Sequence, residues 1–264
     1  KIILFSDSKI RIKNVTNLKF SNLLKNLKKN NDILNSKIVK SNHSMFALFT
    51  SGSTGEPKGI VHSTGGYLTY IKYSCKNHFG YKKNSIVLTA SDAGWINGHT
   101  YALYGPLLFG ATTILLSNPM QILDDKIFNK VVYELKPTIF YLPVTLIRIL
   151  KSLKFSNKIK KTSILTLGSM GESLAPDVAE WYANFFHLKN KAIINTYFQT
   201  ETGGVISSPL FNENKKESPH GTVGKPNIRL GVYIDKKGIL KIKYPWPGCM
   251  KSVLNGNRVW KKYW

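Results

Sequence analysis

The sequence predicts an α/β fold: largely parallel sheets covered by helices, with a small antiparallel β element near the C-terminal end. Three observations lead there. The 264 residues, 42% of them hydrophobic and 12% aromatic, are enough to bury a sizeable core and lie far from the depleted composition of disordered chains. Apolar runs of strand length alternate with amphipathic stretches over most of the chain, as in parallel sheets with helices on both faces. The last segment instead reads as two short runs about a Lys-Lys-Gly turn, a hairpin signal.

In order, KIILF (residues 1–5) is a short apolar run ended by Ser-Asp-Ser and reads as a buried strand. A helix is expected over 17–29, where Leu18, Leu23, Leu24 and Leu27 lie near helical spacing with lysines opposite. The polar residues 28–44, with the lysine cluster at 25–40, read as a solvated face and connector. A second strand is expected at 45–49, and a glycine-rich stretch follows it directly. Beyond it the sequence predicts a helix over 62–76, a strand at 85–90, a buried helix over 95–108, a strand at 112–116 and an amphipathic helix over 124–135 before Pro137. Strands at 138–143, 163–168 and 192–198 follow, with helices over 145–153 and 176–186 between them. The hairpin occupies 228–244, turning at 236–238.

The formal net charge is +24, which ordinarily points to an anionic partner. Only Arg11, Arg148, Arg229 and Arg258 are arginines, however, and nucleic-acid readers favour the planar arginine fork. Lysine, asparagine and isoleucine dominate together, as an AT-rich coding bias produces, and no aromatic-interleaved basic stripe emerges. Neither a nucleic-acid nor a membrane partner is expected. Cys75 and Cys249 stand far apart without a CxxC partner, so a disulfide framework and a zinc site are not indicated, and a cytoplasmic setting fits.

The stretch FTSGSTGEPKGIVHSTGGY, residues 49–67, carries the chemistry. Glycines and hydroxyl residues after a strand let main-chain N–H groups converge on an anion, and a lysine adds charge. A flexible linker does not fit a segment flanked by apolar runs and stiffened by Pro57. The G-x-x-x-x-G-K-[ST] loop cannot be laid over it, since Pro57 stands where that pattern needs glycine. It is a different phosphate loop.

Thr50 to Gly59 match T-S-G-S-T-G-x-P-K-G throughout, and this resembles the signature of the adenylate-forming superfamily of acyl-CoA synthetases, luciferases and peptide-synthetase adenylation domains. Residues 89–116, TASDAGWINGHTYALYGPLLFGATTILL, resemble its acetyl-CoA synthetase branch, as do LGSMGESLAPDVAEWY at 167–182 and NTYFQTETGG at 195–204. The order and spacing match from residue 1 to about 248. The resemblance implies an AMP-forming ligase that activates a short carboxylic acid with ATP and Mg²⁺ and passes the acyl group to coenzyme A. By that resemblance Thr50, Ser51, Gly52, Ser53, Thr54, Gly55 and Lys58 hold phosphates, Thr200 adds a phosphate contact, and Glu201 gives Mg²⁺ a hard oxygen ligand. Lys58, Thr200 and Glu201 form the catalytic set. Gly171, Glu172 and Ser173, with Asn195, Thr196, Tyr197, Phe198 and Gln199, surround the adenine and ribose. Trp95, Ile96, Asn97, Met170 and Phe198 wall the acyl pocket, and Asn97 also faces coenzyme A. Read without the resemblance, Trp95 and Phe198 are core aromatics and His99 is a structural histidine.

Three departures from the branch bear on the acid. Asn97 replaces threonine, Phe198 replaces tryptophan, and Ser173 replaces the proline of Gly-Glu-Pro. More room and an added donor and acceptor predict a short acid slightly larger or more polar than acetate, such as propionate. The family's later Ser-Gly-Asp, hinge and lysine-bearing C-terminal segments do not occur before Trp264. Residues 1–230 are therefore expected to be part of the AMP-binding N-terminal domain and 231–264 the start of a truncated β-rich subdomain, with the lid domain absent and the isolated fragment inactive. Two other readings stay open: an adenylating enzyme that loads a carrier protein, against which residues 92–98 argue, and a truncated, non-catalytic nucleotide-binding remnant. An RNA-binding protein, a further class, predicts salt-dependent affinity that ATP does not compete.

Overall fold

A computed structural model describes residues 2–5, 15–18, 36–50, 57–153, 159–254 and 260–261. The chain divides into two compact units, 1–39 and 40–264. In the first, β1 (Ile2–Phe5) and β2 (Val15–Leu18) pair in parallel. The first strand is as expected. Leu18, expected within a helix, ends β2 instead, and residues 19–29 of that helix lie outside the described residues.

The second unit opens with β3 (Ser44–Thr50) and β4 (Lys58–Ser63), an antiparallel pair whose register sets Thr50 opposite Lys58. Strand β4 corrects the expected helix over 62–76. The helix α1 starts only at Thr64 and runs to Phe79, where Gly80 caps it at φ +69°. Ile60, Val61 and His62 are all buried, so β4 has no polar-apolar alternation to mark it as a strand. It also runs into α1 without a loop, since Ser63 is the extended N-cap residue.

A five-stranded parallel sheet follows, built from β5 (Ile86–Thr89), β6 (Thr112–Ile114), β7 (Ile139–Pro143), β8 (Thr166–Met170) and β9 (Ile194–Asn195) in the order β6-β5-β7-β8-β9. The strands expected at 163–168 and 192–198 are displaced and shortened accordingly. The helices sit close to their expected positions. A π-helical turn, Gly98–Tyr104, leads into α2 (Gly105–Leu108), and α3 (Asp125–Asn129) runs on into a second, Lys130–Leu135. Helices α4 (Val144–Ser152) and α5 (Pro176–Phe185) complete the set.

Alternate residues of each strand feed opposite cores. Leu88, Phe140, Leu142 and Leu167 pack with Val131, Ile147, Ala179 and Tyr182 on one face. Val87, Ile139, Tyr141 and Met170 pack with Cys75, Phe79 and Tyr101 on the other. Both faces being covered, the strands read as unbroken apolar runs, which is why the sequence signalled them. The closing hairpin is β10 (Val232–Ile234) with β11 (Leu240–Ile242); the Asp235 carboxylate accepts from the Lys237 and Ile239 N–H groups, at 2.9 and 3.0 Å, and fixes the turn. The last strand, β12 (Ser252–Val253), returns to pair with β4. Among the described residues no helix is long and apolar enough to cross a membrane.

Candidate functional site

The sheet order decides where a ligand can sit. From β5 the chain passes to β6 on one side and then to β7 on the other, and open α/β sheets bind ligands off the carboxyl ends of their strands at such a reversal. A cleft of about 970 Å³ lies there. The segment after β5 gives it Trp95, Ile96 and Asn97; the end of β8 gives Gly171, Glu172 and Ser173; the end of β9 gives Thr196 to Glu201. The β3–β4 pair gives Phe49, Thr50 and Lys58. Segments read as motifs more than a hundred residues apart thus converge on one space. Ser51, Gly52, Ser53, Thr54 and Gly55 lie outside the described residues.

Two sequence expectations need refinement. Asn195 does not line the cleft: its buried side chain accepts from the Ser169 hydroxyl at 3.0 Å and donates to the Thr222 carbonyl at 3.1 Å, tying β9 to β8 and to a later loop. Met170 lines a smaller, adjoining recess of about 390 Å³, together with Met120, Pro143 and Leu146. Trp95, Asn97, Gly171 and Glu172 border both spaces; of the other residues expected to wall the acyl pocket, Ile96 and Phe198 line the cleft and Met170 the recess.

Trp95 is 67% exposed, which disposes of a core role for it. Phe198 is half-buried and packs edge-on against Tyr101, with 5.5 Å between ring centroids. His99 is structural in its bonding, holding the Ala93 carbonyl at 2.9 Å. Asn97 is oriented from behind by Tyr141, a fully buried residue of β7 whose hydroxyl lies 3.3 Å from Asn97 Oδ1 and 2.6 Å from Thr196 Oγ1. The Thr196 hydroxyl in turn donates to the Ser169 carbonyl at 2.9 Å. Burial drives the Tyr141 hydroxyl far above its ordinary pKa, so it acts only as a neutral hydrogen-bonding group.

The Gly171–Ser173 segment turns sharply, with Gly171 at φ +90°, a conformation that favours glycine. Arg148, on α4, fastens it: Nη1 donates to Glu172 Oε2 at 3.0 Å and Nη2 to the Ser173 carbonyl at 3.4 Å. Thr200 to Thr202 form a 3₁₀ turn capped by reciprocal bonds between Gln199 and Thr202. Buried beneath it on β4, His62 places Nε2 2.7 Å from the Thr200 carbonyl. Burial lowers the His62 pKa, opposed by that bond and by the charge of Glu201. Tyr141, Arg148 and His62 were not singled out in the sequence; each acts through a partner distant along the chain.

Among the described residues no group of three or more His, Cys, Asp or Glu side chains could hold a metal ion. Glu201 and Lys58 both line the cleft.

The model of the AMP-binding enzyme family matches residues 5–243. The chain belongs to the AMP-binding enzyme family. It is 40% identical to acetyl-coenzyme A synthetase 2 of Candida albicans over 227 residues, 81% of this chain and 34% of that protein. Against acetyl-coenzyme A synthetase 2 of Saccharomyces cerevisiae the identity is 37% over 80% of this chain and 33% of that protein. Against the acetyl-coenzyme A synthetase of Chlorobaculum tepidum it is 35%, over 86% and 36%. The chain therefore spans about a third of the length of the curated relatives it matches.

Proposed function

We propose that this chain is the nucleotide- and acyl-binding part of an AMP-forming ligase that activates a short carboxylic acid with MgATP and transfers the acyl group to coenzyme A. The observation that carries this reading is the convergence of Lys58, the Thr200–Glu201 turn, the Gly171–Ser173 segment and Trp95–Asn97 on one cleft at the sheet's reversal point. Similarity to acetyl-coenzyme A synthetases over about 80% of the chain supports the same reaction class.

In the first half-reaction a carboxylate oxygen of the acid attacks the α-phosphorus, and the bond to the bridging oxygen breaks to release pyrophosphate. Lys58 and Thr200, with Thr50 to Gly55, hold the departing phosphates, and fixed donors aimed at developing charge supply most of such a rate enhancement. Glu201 would hold a magnesium ion, which would neutralise phosphate charge. Gly171, Glu172 and Ser173, with Tyr197 and Gln199, hold the adenosine. In the second half-reaction the coenzyme A sulfur attacks the acyl carbon and AMP leaves with the electron pair. Asn97, bordering both cavities, faces the acyl group and the incoming thiol. Trp95, Ile96, Met170 and Phe198 set the acyl pocket; Phe198 and Asn97 suit an acid slightly larger or more polar than acetate. A reducing, cytoplasmic location accords with the free thiols of Cys75 and Cys249.

Carboxylate-dependent ATP–pyrophosphate exchange by the full-length protein, run over a panel of short acids, tests the proposal. Exchange with a short acid, followed by thioester formation with coenzyme A, is the expected result. MgATP binding without exchange for any acid would leave a nucleotide-binding protein and overturn the ligase reading. Strict preference for acetate would overturn the reading of the pocket alone.

A further inference from the structure

The Thr200–Thr202 turn presents Thr200 and Glu201 to the cleft and is anchored by its carbonyl oxygens. The Glu201 carbonyl accepts from the Met250 N–H at 2.9 Å, and the Thr202 carbonyl accepts from Trp246 Nε1 at 3.1 Å. The Thr200 carbonyl accepts from the Gly203 N–H at 3.3 Å and from His62 Nε2 at 2.7 Å. Trp246 and Met250 belong to one returning segment. His62 is different, because it sits on β4, the strand whose first residue is Lys58.

The chemistry of that contact is constrained. A carbonyl only accepts, so Nε2 carries the imidazole proton and Nδ1 is left as the bare acceptor. Nδ1 is buried and has no hydrogen-bond partner. Leaving a buried nitrogen bare is unfavourable, and an apolar residue at this position would avoid it. The 2.7 Å bond to Thr200 is therefore the ring's principal hydrogen bond, with a lesser contact to the Gly248 carbonyl. The rings of Phe46 and Tyr67, with centroids 5.4 and 5.1 Å from that of His62, restrain its orientation.

We infer that His62 is a positioning residue whose Nε2–H bond to the Thr200 carbonyl fixes the Thr200–Glu201 turn relative to Lys58, and so sets the gap in which a nucleotide's phosphates are held. This rests on the proposal that the cleft takes MgATP. The two grips lie on different elements, one at the head of β4 and one after β9, and the β4 backbone with His62 forms a direct strut between them. Positioning of this kind affects nucleotide affinity more than the acyl pocket, because the bond His62 makes is to the Thr200 carbonyl.

The test is calorimetric titration of the full-length protein with MgATP, alongside thermal unfolding and the KM for the acid. His62→Leu, which removes the donor, is expected to weaken MgATP binding about tenfold, the equivalent of about 1.4 kcal/mol, while the KM for the acid stays within about twofold. His62→Gln, whose amide reaches as far as Nε2, is expected to restore most of the affinity, whereas the shorter His62→Asn does not. Comparing Gln with Asn keeps the test decisive if the leucine variant does not fold. MgATP affinity of His62→Leu equal to wild type, or His62→Gln no better than His62→Asn at equal stability, overturns the inference while leaving the proposed function intact. Failure of the wild-type protein to bind MgATP overturns both.

Discussion

Replacing Gly168 with alanine tests how the sheet builds the acyl wall. Gly168 faces Tyr141 in the β7–β8 register, and a Cβ added there would lie 2.5 Å from Tyr141 Cδ2 and 3.0 Å from Phe79 Cε1. Carbon atoms pack best at about 3.5–4.0 Å, so the Tyr141 ring must retreat by about 1 Å or more. It has nowhere to go: Tyr141 is fully buried, with Phe79 4.8 Å and Tyr101 5.7 Å away between ring centroids. Overpacking of this kind costs about 1–3 kcal/mol. Dragging the Tyr141 hydroxyl from Thr196 adds about 1 kcal/mol, and the lower chain entropy of alanine gives back about 0.5–1 kcal/mol. Steric strain wins, leaving a net loss of about 1–3 kcal/mol, read as a lower urea midpoint with an unchanged m-value. The KM for the acid should rise as well, because the Tyr141 hydroxyl that orients Asn97 has moved. In a Tyr141→Leu background, where the ring is gone and only the 3.0 Å approach to Phe79 remains, adding Gly168→Ala should cost much less. A loss below about 0.5 kcal/mol in the wild-type background, or an equal loss in both, would refute this account of the packing.

Other outcomes follow from the site and the core. Glu201→Gln should lower pyrophosphate exchange about a hundredfold and raise the Mg²⁺ concentration needed for half-maximal rate, whereas an unaltered Mg²⁺ dependence would remove Glu201 from the metal. Arg148→Met should weaken ATP binding no more than about fivefold, since the pair with Glu172 is half-exposed and worth at most about 1 kcal/mol; a direct titration reads this. Asn97→Thr should raise kcat/KM for acetate relative to propionate by about tenfold, and an unchanged ratio would show that Asn97 does not choose the acid. His78, buried against the Ser208 hydroxyl at 2.7 Å, has its pKa pushed by burial from the ordinary 6.5 down to about 4. The unfolded chain then binds the extra proton first, so this stabilisation is complete above pH 6.5 and is lost as pH falls toward 4, by about 3 kcal/mol in all. Denaturation midpoints should fall across that interval in the wild-type protein and fall less in His78→Gln.

Local signals carried a large share of the fold. Strands covered on both faces must be apolar throughout, so β5, β7 and β8 were legible as runs, and the helices between them followed from period and from Pro137 and Pro176. The hairpin was legible because its turn needs a residue at positive φ, which Gly238 supplies at +77°. The segments of the cleft were legible for another reason: the stretches 50–59, 171–173 and 195–201 resemble motifs of the adenylate-forming superfamily in order and spacing, and Thr50, Lys58, Gly171 to Ser173 and Thr196 to Glu201 line one cleft.

Tertiary structure alone decided the rest. Strand β4 could not be read as a strand, since Ile60, Val61 and His62 are buried on both faces of their sheet, which removes the alternation that distinguishes a strand from the start of a helix. Asn195 belongs to a cleft motif by sequence, yet its side chain is consumed by Ser169 and Thr222. Met170, expected in the acyl pocket by sequence, borders the adjoining recess beside Pro143 and Leu146. His62 meets Thr200 across 138 residues of chain. Periodicity and motif spacing report on neighbours within a few turns; which strand end lies beside which, and which buried donor finds which carbonyl, is fixed only when the sheet order brings distant segments together.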